Sequence, residues 1–338
     1  MTISNRVQVG ILGLLVTGIA LCFIVTQLNL ELFVESWRTA NYWYVLPCLI
    51  LLFLGLITRA FRWRVLLDNK LPFNRTFSIM NVAYLVNGVL PLRIGEVARV
   101  YLVSRTKKTI PMPLTASTII IERILDLFAV VVMVFFALML GPVPDEIRSA
   151  SFIAALFAIA GFSILILLAR KREWASHLFT SVQSYIPIVK RYEILSKWFD
   201  QFLDGLQPLT QPQALFASLA WTALSWVVSI AAGYILMFAF FDEGSIAATM
   251  LYIAAAAFAI ALPAVPGNIG TYEASILLAL TAMGYEQSST AVAFAVMVHA
   301  VNVFVHVTTG VVGFMQEGIS IGQLSQGVRS MQSTTETG

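Results

Sequence analysis

Two interruptions in otherwise apolar sequence constrain the fold of this chain more than any other feature. Each has the pattern Pro-x-x-Ile-Gly, at residues 91–95 and again at 266–270, and each is soon followed by a glutamate, Glu96 or Glu273. Both residue types interrupt a helix, because proline removes a backbone donor and glycine is conformationally free. The copies lie about half a chain length apart, so they predict two related halves, each containing a broken helix.

The apolar surroundings of these breaks predict a membrane protein. Hydrophobic residues make up 59% of the 338 residues and charged residues only 12%, whereas soluble domains average about a quarter charged. Inside a bilayer, a broken helix is tolerated only where protein or a wet cavity satisfies the freed backbone groups. The helix that resumes after each glycine begins with free N–H groups and a positive dipole end, which favour an anion such as phosphate.

The lengths of the apolar runs predict an all-α polytopic fold with about six spanning helices and two re-entrant broken-helix hairpins. The hairpins comprise residues 77–90 with 94–104 and residues 246–262 with 271–283, because each run is shorter than the roughly 20 residues that a spanning helix needs. We interpret residues 9–26 as a retained first span rather than a signal peptide, since no Ala-x-Ala-type cleavage site follows. The basic sequence RAFRWR at residues 59–64 is expected to be an interfacial anchor.

The distribution of basic residues predicts the orientation of the chain in a cytoplasmic (inner) membrane. If the N-terminus is inside, the outer segments contain only two basic residues, Arg38 and Arg148, and the basic clusters lie in the cytoplasmic segments. Both termini are then cytoplasmic and the hairpins open from opposite sides, as in an inverted repeat. We predict one transporter-like domain over residues 1–315, with repeats at about 42–140 and 214–315 and an interfacial linker at 170–212, followed by a polar cytoplasmic tail at 316–338.

Polar residues in four places are predicted to face the protein interior, since ionisable residues inside a bilayer are rare and usually functional. Those around the first break are Asn87, Arg93, Glu96 and Arg99. Those on the following span are Glu122, Arg123 and Asp126. Those around the second break are Asn268, Gly270, Thr271, Tyr272 and Glu273. Those on the last span are His299, Asn302 and His306, which share one helix face.

The charged residues near the first break favour recognition of a lipid phosphate. Arginine suits bidentate contacts to phosphate, so Arg93 and Arg99 are the predicted headgroup ligands. A structural Arg–Glu pair in an interfacial hairpin is the alternative. Glu122 and Asp126 share a helix face, and a buried ion pair to a neighbouring helix explains them as well as a role in transport does.

Five residues are predicted as candidates for a proton pathway: Glu96, Asp126, Glu273, His299 and His306. The two histidines have hydrogen bonding between helices as their simpler explanation. Thr271 is also a plausible helix N-cap, and a glutamate near a helix N-terminus is favourable on dipole grounds alone. These structural explanations stay open beside the functional ones.

Sequence motifs of other function classes are missing. The chain contains no P-loop, no Gly-x-Ser-x-Gly and no His-Glu-x-x-His sequence. We therefore predict no catalytic residue, no metal and no cofactor, and expect transport to be passive or ion-coupled. Membrane lipids are the predicted partners, and no binding of nucleic acid is predicted. Assembly into a homo-oligomer and interaction with a protein of envelope biosynthesis are both left open.

Three motifs carry a resemblance to a known family. They are NGVLPLRIGEVARVYL at residues 87–102, ERILDL at 122–127 and LPAVPGNIGTYEA at 262–274. At these residues the chain resembles the flippase-like transmembrane family related to the membrane domain of lysylphosphatidylglycerol synthases, as a stand-alone form without the aminoacyl-transferase domain. The resemblance implies two inverted repeats whose hairpins face a central cavity for lipid headgroups. By it, the cavity candidates are Asn87, Arg93, Glu96, Arg99, Glu122, Arg123, Asp126 and Glu273.

The leading hypothesis is a lipid flippase or transporter. It would move an anionic phospholipid or a polyprenyl-phosphate-linked lipid between leaflets, with the phosphate held by Arg93 and Arg99. The alternative is a membrane enzyme or a partner subunit in the synthesis of envelope glycolipids or aminoacyl-lipids.

Overall fold

The computed structural model describes residues 3–26, 28–89, 94–106, 110–141, 145–185, 193–261, 266–286, 288–319, 322–324 and 326. Every regular element within these ranges is helical, which confirms the predicted all-α class. The first helices are α1 (Ile3–Thr26), α2 (Leu30–Thr39), α3 (Val45–Leu66), α4 (Phe73–Val89), α5 (Ile94–Ser104), α6 (Met112–Leu140) and α7 (Asp145–Arg170). The others are α8 (Arg172–Tyr185), α9 (Glu193–Gly205), α10 (Pro212–Met237), α11 (Ile246–Ala261), α12 (Thr271–Ala282) and α13 (Ser289–Glu317).

Four helices of the described part are long and apolar enough to cross a membrane. They are Tyr42–Leu66, which is α3 with a preceding 3₁₀ turn, and α6, α10 and α13. A fifth span is formed if Leu15–Thr26 and Leu30–Thr39 are counted together, although they meet at an angle of 83°. This makes the chain a multi-pass membrane protein, while the count of about six spans stays a prediction.

Both predicted hairpins correspond to pairs of short helices that pack on each other. The first pair is α4 and α5, with 17 and 11 residues, and the second is α11 and α12, with 16 and 12 residues. All four are shorter than the roughly 20 residues of a spanning helix. Their re-entrant placement and the inverted repeat stay predictions.

Two apolar cores lie at opposite ends of the long helices. The α4–α5 core contains the C-terminal part of α3 and the N-terminal half of α6, represented by Trp63 and Ile121. The α11–α12 core contains the N-terminal part of α3 and the C-terminal half of α6, represented by Cys48 and Val134. The two helix pairs therefore pack against opposite ends of α3 and α6.

The last helix, α13, reaches both cores by packing closely on α4. A Cβ added to Gly313 would lie 2.8 Å from the carbonyl oxygen of Ser78, so this approach of the two helices requires glycine. Thr309 Oγ1 donates a hydrogen bond to Asn81 Oδ1 at 3.0 Å, and Ser78 Oγ donates to the Gly313 carbonyl at 3.1 Å. Such small-residue contacts, joined by polar side chains, are typical of helix pairs in membranes.

The predicted linker and tail are partly packed into the fold. The linker contains α8 and α9, and α9 packs on α6 and contributes Leu203 to the α4–α5 core. The interfacial position of these helices stays a prediction. In the predicted polar tail, Glu317 bonds to Arg75 and Leu324 is buried in the same core, whereas residues 327–338 lie outside the described part.

The interpretation of residues 59–64 as an interfacial anchor is wrong. Helix α3 continues to Leu66, and Arg62 and Trp63 have no exposed surface. A buried guanidinium is stable only if carboxylates compensate its charge, and α6 supplies them.

Candidate functional site

Six charged side chains from three helices meet beside the α4–α5 core. We call this set the charge network; it consists of Arg62 from α3, Glu96 and Arg99 from α5, and Glu122, Arg123 and Asp126 from α6. Three guanidinium groups face three carboxylates, so the formal charges balance. The network lies within the membrane-spanning part of the chain, because Asp126 is at the centre of α6.

Glu122 is the buried centre of the network. Its Oε2 accepts a hydrogen bond from Arg99 Nη2 at 2.6 Å, and its Oε1 is contacted by Arg62 Nη2 at 3.1 Å and by Arg123 Nη2 at 3.0 Å. The Glu122 side chain has no exposed surface. One carboxylate thus holds guanidinium groups from α3, α5 and α6, which fixes these helices relative to one another.

Arg62 joins the network to a third spanning helix. Its Nη1 and Nη2 donate to the two oxygens of Asp126 at 2.6 and 3.3 Å, a bidentate arrangement. Its Nη1 also lies 3.4 Å from Thr222 Oγ1 on α10. The predicted structural role of Asp126 as half of an ion pair to a neighbouring helix is therefore present, with a partner that the sequence did not identify.

Arg99 is not placed to bind a lipid phosphate. Its side chain is 2% exposed, it is bonded to Glu122, and its guanidinium carbon lies 3.6 Å from the ring centroid of Trp63. The Trp63 ring is itself held by a hydrogen bond from Nε1 to Thr118 Oγ1 at 3.1 Å. The prediction that Arg99 is a headgroup ligand thus gives way to a positioning role. Arg93, the other predicted ligand, lies outside the described residues.

Three members of the network are accessible. The side chains of Arg123, Glu96 and Asp126 are 33%, 30% and 20% exposed, in contrast to the buried members. Arg123 Nη2 contacts Asp126 Oδ2 at 3.4 Å, and its Nε lies 4.0 Å from Glu96 Oε1. A ligand that reaches the network therefore meets Arg123 and these two carboxylates first.

At the first break, Asn87 closes the turn between α4 and α5. Its Oδ1 accepts a hydrogen bond from the Gly95 N–H at 2.8 Å. A Cβ added to Gly95 would overlap the carbonyl oxygen of Ala83, so glycine is needed where α5 approaches α4. The side-chain oxygen of Asn87 thus has a structural role, while a ligand role for its amide group stays a prediction.

At the second break, the backbone turns through three residues with positive φ: Gly267 at 77°, Asn268 at 53° and Gly270 at 85°. The N-cap of α12 is Gly270, not Thr271 as the sequence suggested. The Thr271 hydroxyl instead donates to the Asn268 carbonyl at 3.0 Å. The Gly270 N–H donates to Glu273 Oε2 at 2.7 Å, so the chain's own glutamate compensates part of the positive end of α12.

The two histidines of α13 face different neighbours. His299 Nδ1 lies 2.5 Å from Glu273 Oε1, and the ring of Tyr272 lies 4.6 Å from that of His299 between centroids. His306, two turns along, contacts Tyr84 of α4 with ring centroids 5.3 Å apart. Asn302 between them donates to the carbonyl of Val298 in its own helix. Within the described ranges, no group of three or more His, Cys, Asp or Glu side chains could hold a metal.

The sequence prediction missed Arg59 and Arg62. They are three residues apart on α3, so they share a helix face that points toward α6, α10 and α13. The spacing was visible in the sequence, but the basic and aromatic composition of residues 59–64 is also that of an interfacial anchor.

Comparison with known proteins agrees with the three motifs. The family described as "Lysylphosphatidylglycerol synthase TM region" matches residues 10–310. The chain is also 24% identical over 357 aligned positions to the glycosyltransferase AglD of Haloferax volcanii, covering 94% of this chain and 56% of that protein, so it spans about half the length of this curated relative. No solved structure matches it. Because the family match covers most of the residues, the chain belongs to the lysylphosphatidylglycerol synthase transmembrane-region family.

Proposed function

We propose that this protein moves a lipid with an anionic phosphate between the two leaflets of the membrane. The observation that carries the proposal is the charge network between the spanning helices α3 and α6 and the short helix α5. Burying ion pairs contributes little net stability, so stability does not explain six charged groups among apolar helices. We infer that they recognise a polar headgroup. Within the charge network, the accessible guanidinium of Arg123 is the group best placed to bind the phosphate.

The positions of the two helix pairs support an alternating-access mechanism. The pairs α4–α5 and α11–α12 pack at opposite ends of α3 and α6, with the charge network beside the α4–α5 core. Basic residues such as Arg75 and Arg172 lie at the α4–α5 end, while Asp242 and Glu243 follow α10 at the other end. By the positive-inside rule, we infer that the α4–α5 end and both termini are cytoplasmic in an inner membrane.

Transport is passive or proton-coupled in this proposal, since the sequence has no nucleotide-binding motif. The Glu273–His299 contact at the second break supports a proton-carrying role, because a carboxylate and an imidazole 2.5 Å apart can share or exchange a proton. Glu96 and Asp126 are accessible carboxylates of the charge network, and His306 contacts Tyr84 of α4. These residues are the proposed proton pathway.

A reconstitution assay tests the proposal. Purified protein is inserted into liposomes with fluorescent phosphatidylglycerol, and dithionite then destroys the label that reaches the outer leaflet. We expect the wild type to expose the inner-leaflet lipid and Arg123→Gln to slow this by about tenfold or more, because a charge-assisted contact is lost. Arg172→Gln is the matched control, since Arg172 pairs with Asp204 on the surface. The same substitution at Arg93 tests the predicted ligand outside the described residues. Wild-type liposomes that behave like protein-free ones, both with this lipid and with a labelled polyprenyl phosphomannose, would overturn the proposal.

The alternative function is an enzyme or a partner subunit in the synthesis of envelope glycolipids or aminoacyl-lipids. It is favoured by the relative named as a glycosyltransferase, which resembles this chain along 94% of the chain's length. Lipid analysis of cells that express Asp126→Asn separates the two functions. An enzyme or its partner loses the modified lipid altogether, whereas a transporter still allows its synthesis and changes only the leaflet in which it is found.

A further inference from the structure

Arg59 is a membrane-embedded arginine that is loosely held. Its side chain is half-buried, and Nη2 lies 3.4 Å from Ser229 Oγ, beyond the usual range for a strong N–H···O hydrogen bond. Its guanidinium carbon lies 5.8 Å from the ring centroid of Trp226, near the outer limit of a cation–π contact. Arg99, by comparison, lies 3.6 Å from the Trp63 ring. The guanidinium of Arg59 is therefore free to make stronger contacts.

The charge of Arg59 is not compensated by a carboxylate. Every arginine of the charge network contacts at least one carboxylate, and the network balances itself. Among the side chains that the structure describes, none of the acidic groups lies within 4.0 Å of Arg59, and Glu273 is already held by His299 and Gly270. An isolated positive charge at this point calls for an anion from elsewhere.

Arg59 lies on a helix, Tyr42–Leu66, that is long and apolar enough to cross a membrane. Arg62 bonds to Asp126, which is at the middle of α6, and Arg59 is three residues from Arg62, or about 4.5 Å along α3. An unpaired guanidinium within a spanning segment is costly and is a functional site by default. An anion that needs to pass this level of the membrane would be stabilised by it.

The surroundings of Arg59 contain groups that suit a phosphate. Ser229 Oγ lies 3.4 Å from Arg59 Nη2, and Tyr272 at the second break and His306 on α13 are near enough to interact electrostatically with the guanidinium. His306 in turn contacts Tyr84 of α4, and Tyr272 contacts His299. Hydroxyl and imidazole groups can donate to phosphate oxygens, and the planar guanidinium matches two of them at once.

We propose that Arg59 binds the phosphate of the lipid within the spanning part of the protein and that this phosphate is a monoanionic diester. One uncompensated guanidinium is neutralised by a single negative charge, whereas a diphosphate would leave excess negative charge buried. A phosphodiester of this charge occurs in two classes of lipid, glycerophospholipids such as phosphatidylglycerol and polyprenyl-phosphate sugars. The inference deepens the proposed function and rests on it for the movement of the lipid; binding at Arg59 is tested separately.

Native mass spectrometry of the purified full-length protein tests the binding. The probes are dioleoyl phosphatidylglycerol, a polyprenyl phosphomannose and a polyprenyl diphosphate. We expect one of the two diesters to bind, Arg59→Gln to weaken it by about tenfold or more, and Arg59→Lys to restore part of the affinity, because lysine keeps the charge but not the bidentate geometry. Arg172→Gln serves as the control and leaves the affinity unchanged.

A melting curve separates a ligand-binding role from a structural one. Removing an uncompensated charge relieves its desolvation cost, so the melting temperature of Arg59→Gln without lipid is expected to equal or exceed that of the wild type. A clearly lower melting temperature would assign Arg59 to packing instead and overturn the inference.

Each outcome of the binding experiment decides a point. The diester whose affinity falls in Arg59→Gln identifies the lipid class, and a diphosphate that binds more tightly than both diesters overturns the assignment of a single charge. Equal affinities for wild type and Arg59→Gln overturn the site, even if the wild type moves lipid in liposomes. If binding depends on Arg59 but the wild type moves no lipid, the site stands and the proposed function fails.

Discussion

Glu122→Gln is expected to destabilise the protein strongly, because it removes one negative charge from the contact of three guanidinium groups. Breaking a buried ion pair leaves an unpaired buried charge and costs about 3–5 kcal/mol. This range applies because the side chains of Glu122, Arg62 and Arg99 are only 0–2% exposed. Arg123 adds less, since its side chain is 33% exposed and water screens its charge. We expect the melting temperature to fall by about 5 °C or more.

The measurement is thermal unfolding in detergent micelles, followed by intrinsic tryptophan fluorescence. Asp204→Asn is the matched control, because it also removes a carboxylate from an arginine, Arg172, at 2.9 Å. That pair is 47% and 48% exposed, so the expected change is within about 1 kcal/mol. Comparing the two variants separates the effect of burial from the effect of losing a charge pair.

A double variant tests the charge-balance reasoning itself. Arg99→Gln combined with Glu122→Gln removes one charge of each sign, so the remaining four groups of the network balance again. We expect the double variant to recover at least half of the stability lost in Glu122→Gln, because coupled buried charges are strongly non-additive. The account of the network as a balanced buried set is refuted if the stability losses of the two single variants simply add. It is also refuted if Glu122→Gln and Asp204→Asn have the same melting temperature.

Two further predictions concern the helix breaks. Gly95→Ala places a Cβ against the carbonyl oxygen of Ala83 and is expected to lower stability by about 1–3 kcal/mol in the same melting assay. Gly88→Ala is the control and is expected to leave stability nearly unchanged, because a Cβ there would have nothing within 4 Å. Equal effects of the two substitutions would contradict the close approach of α5 to α4. Glu273→Gln keeps an acceptor for the Gly270 N–H, so we expect an unchanged melting temperature. The glutamine cannot carry a proton, so lipid movement driven by an imposed pH gradient is expected to be lost, while passive movement is retained. A lower melting temperature together with a loss of transport would instead assign a structural role to Glu273.

The helix breaks could be predicted closely from the sequence because their signals are local. The expected hairpin arms at 77–90 and 94–104 correspond to α4, which ends at Val89, and α5, which begins at Ile94. The arm predicted to begin at residue 271 is α12, which begins at Thr271. Proline and glycine act on the residues next to them, so their effect does not depend on the rest of the fold.

The pairing within the site could not be predicted, because it depends on contacts between distant parts of the chain. Arg62 pairs with Asp126, 64 residues away, and the stacking of Trp63 decides that Arg99 is buried rather than open to a lipid. The hydrogen bond from the Gly95 N–H to Asn87 Oδ1 was likewise not anticipated. In each case the residue types were recognised as unusual for a membrane, but only the packing of α3, α5 and α6 assigns the partner.

Helix α13 links the two breaks mechanically. It is 29 residues long, or about 43 Å; it contacts Glu273 through His299, four residues before its midpoint, and packs against α4 through Gly313 near its C-terminal end. A helix transmits rotation and translation along its axis, and the close contact at Gly313 allows little movement of α13 relative to α4. A change in the Glu273–His299 contact that rotates α13 therefore reaches the opposite core within the same rigid element. The two ends of the protein are in this way prevented from rearranging independently.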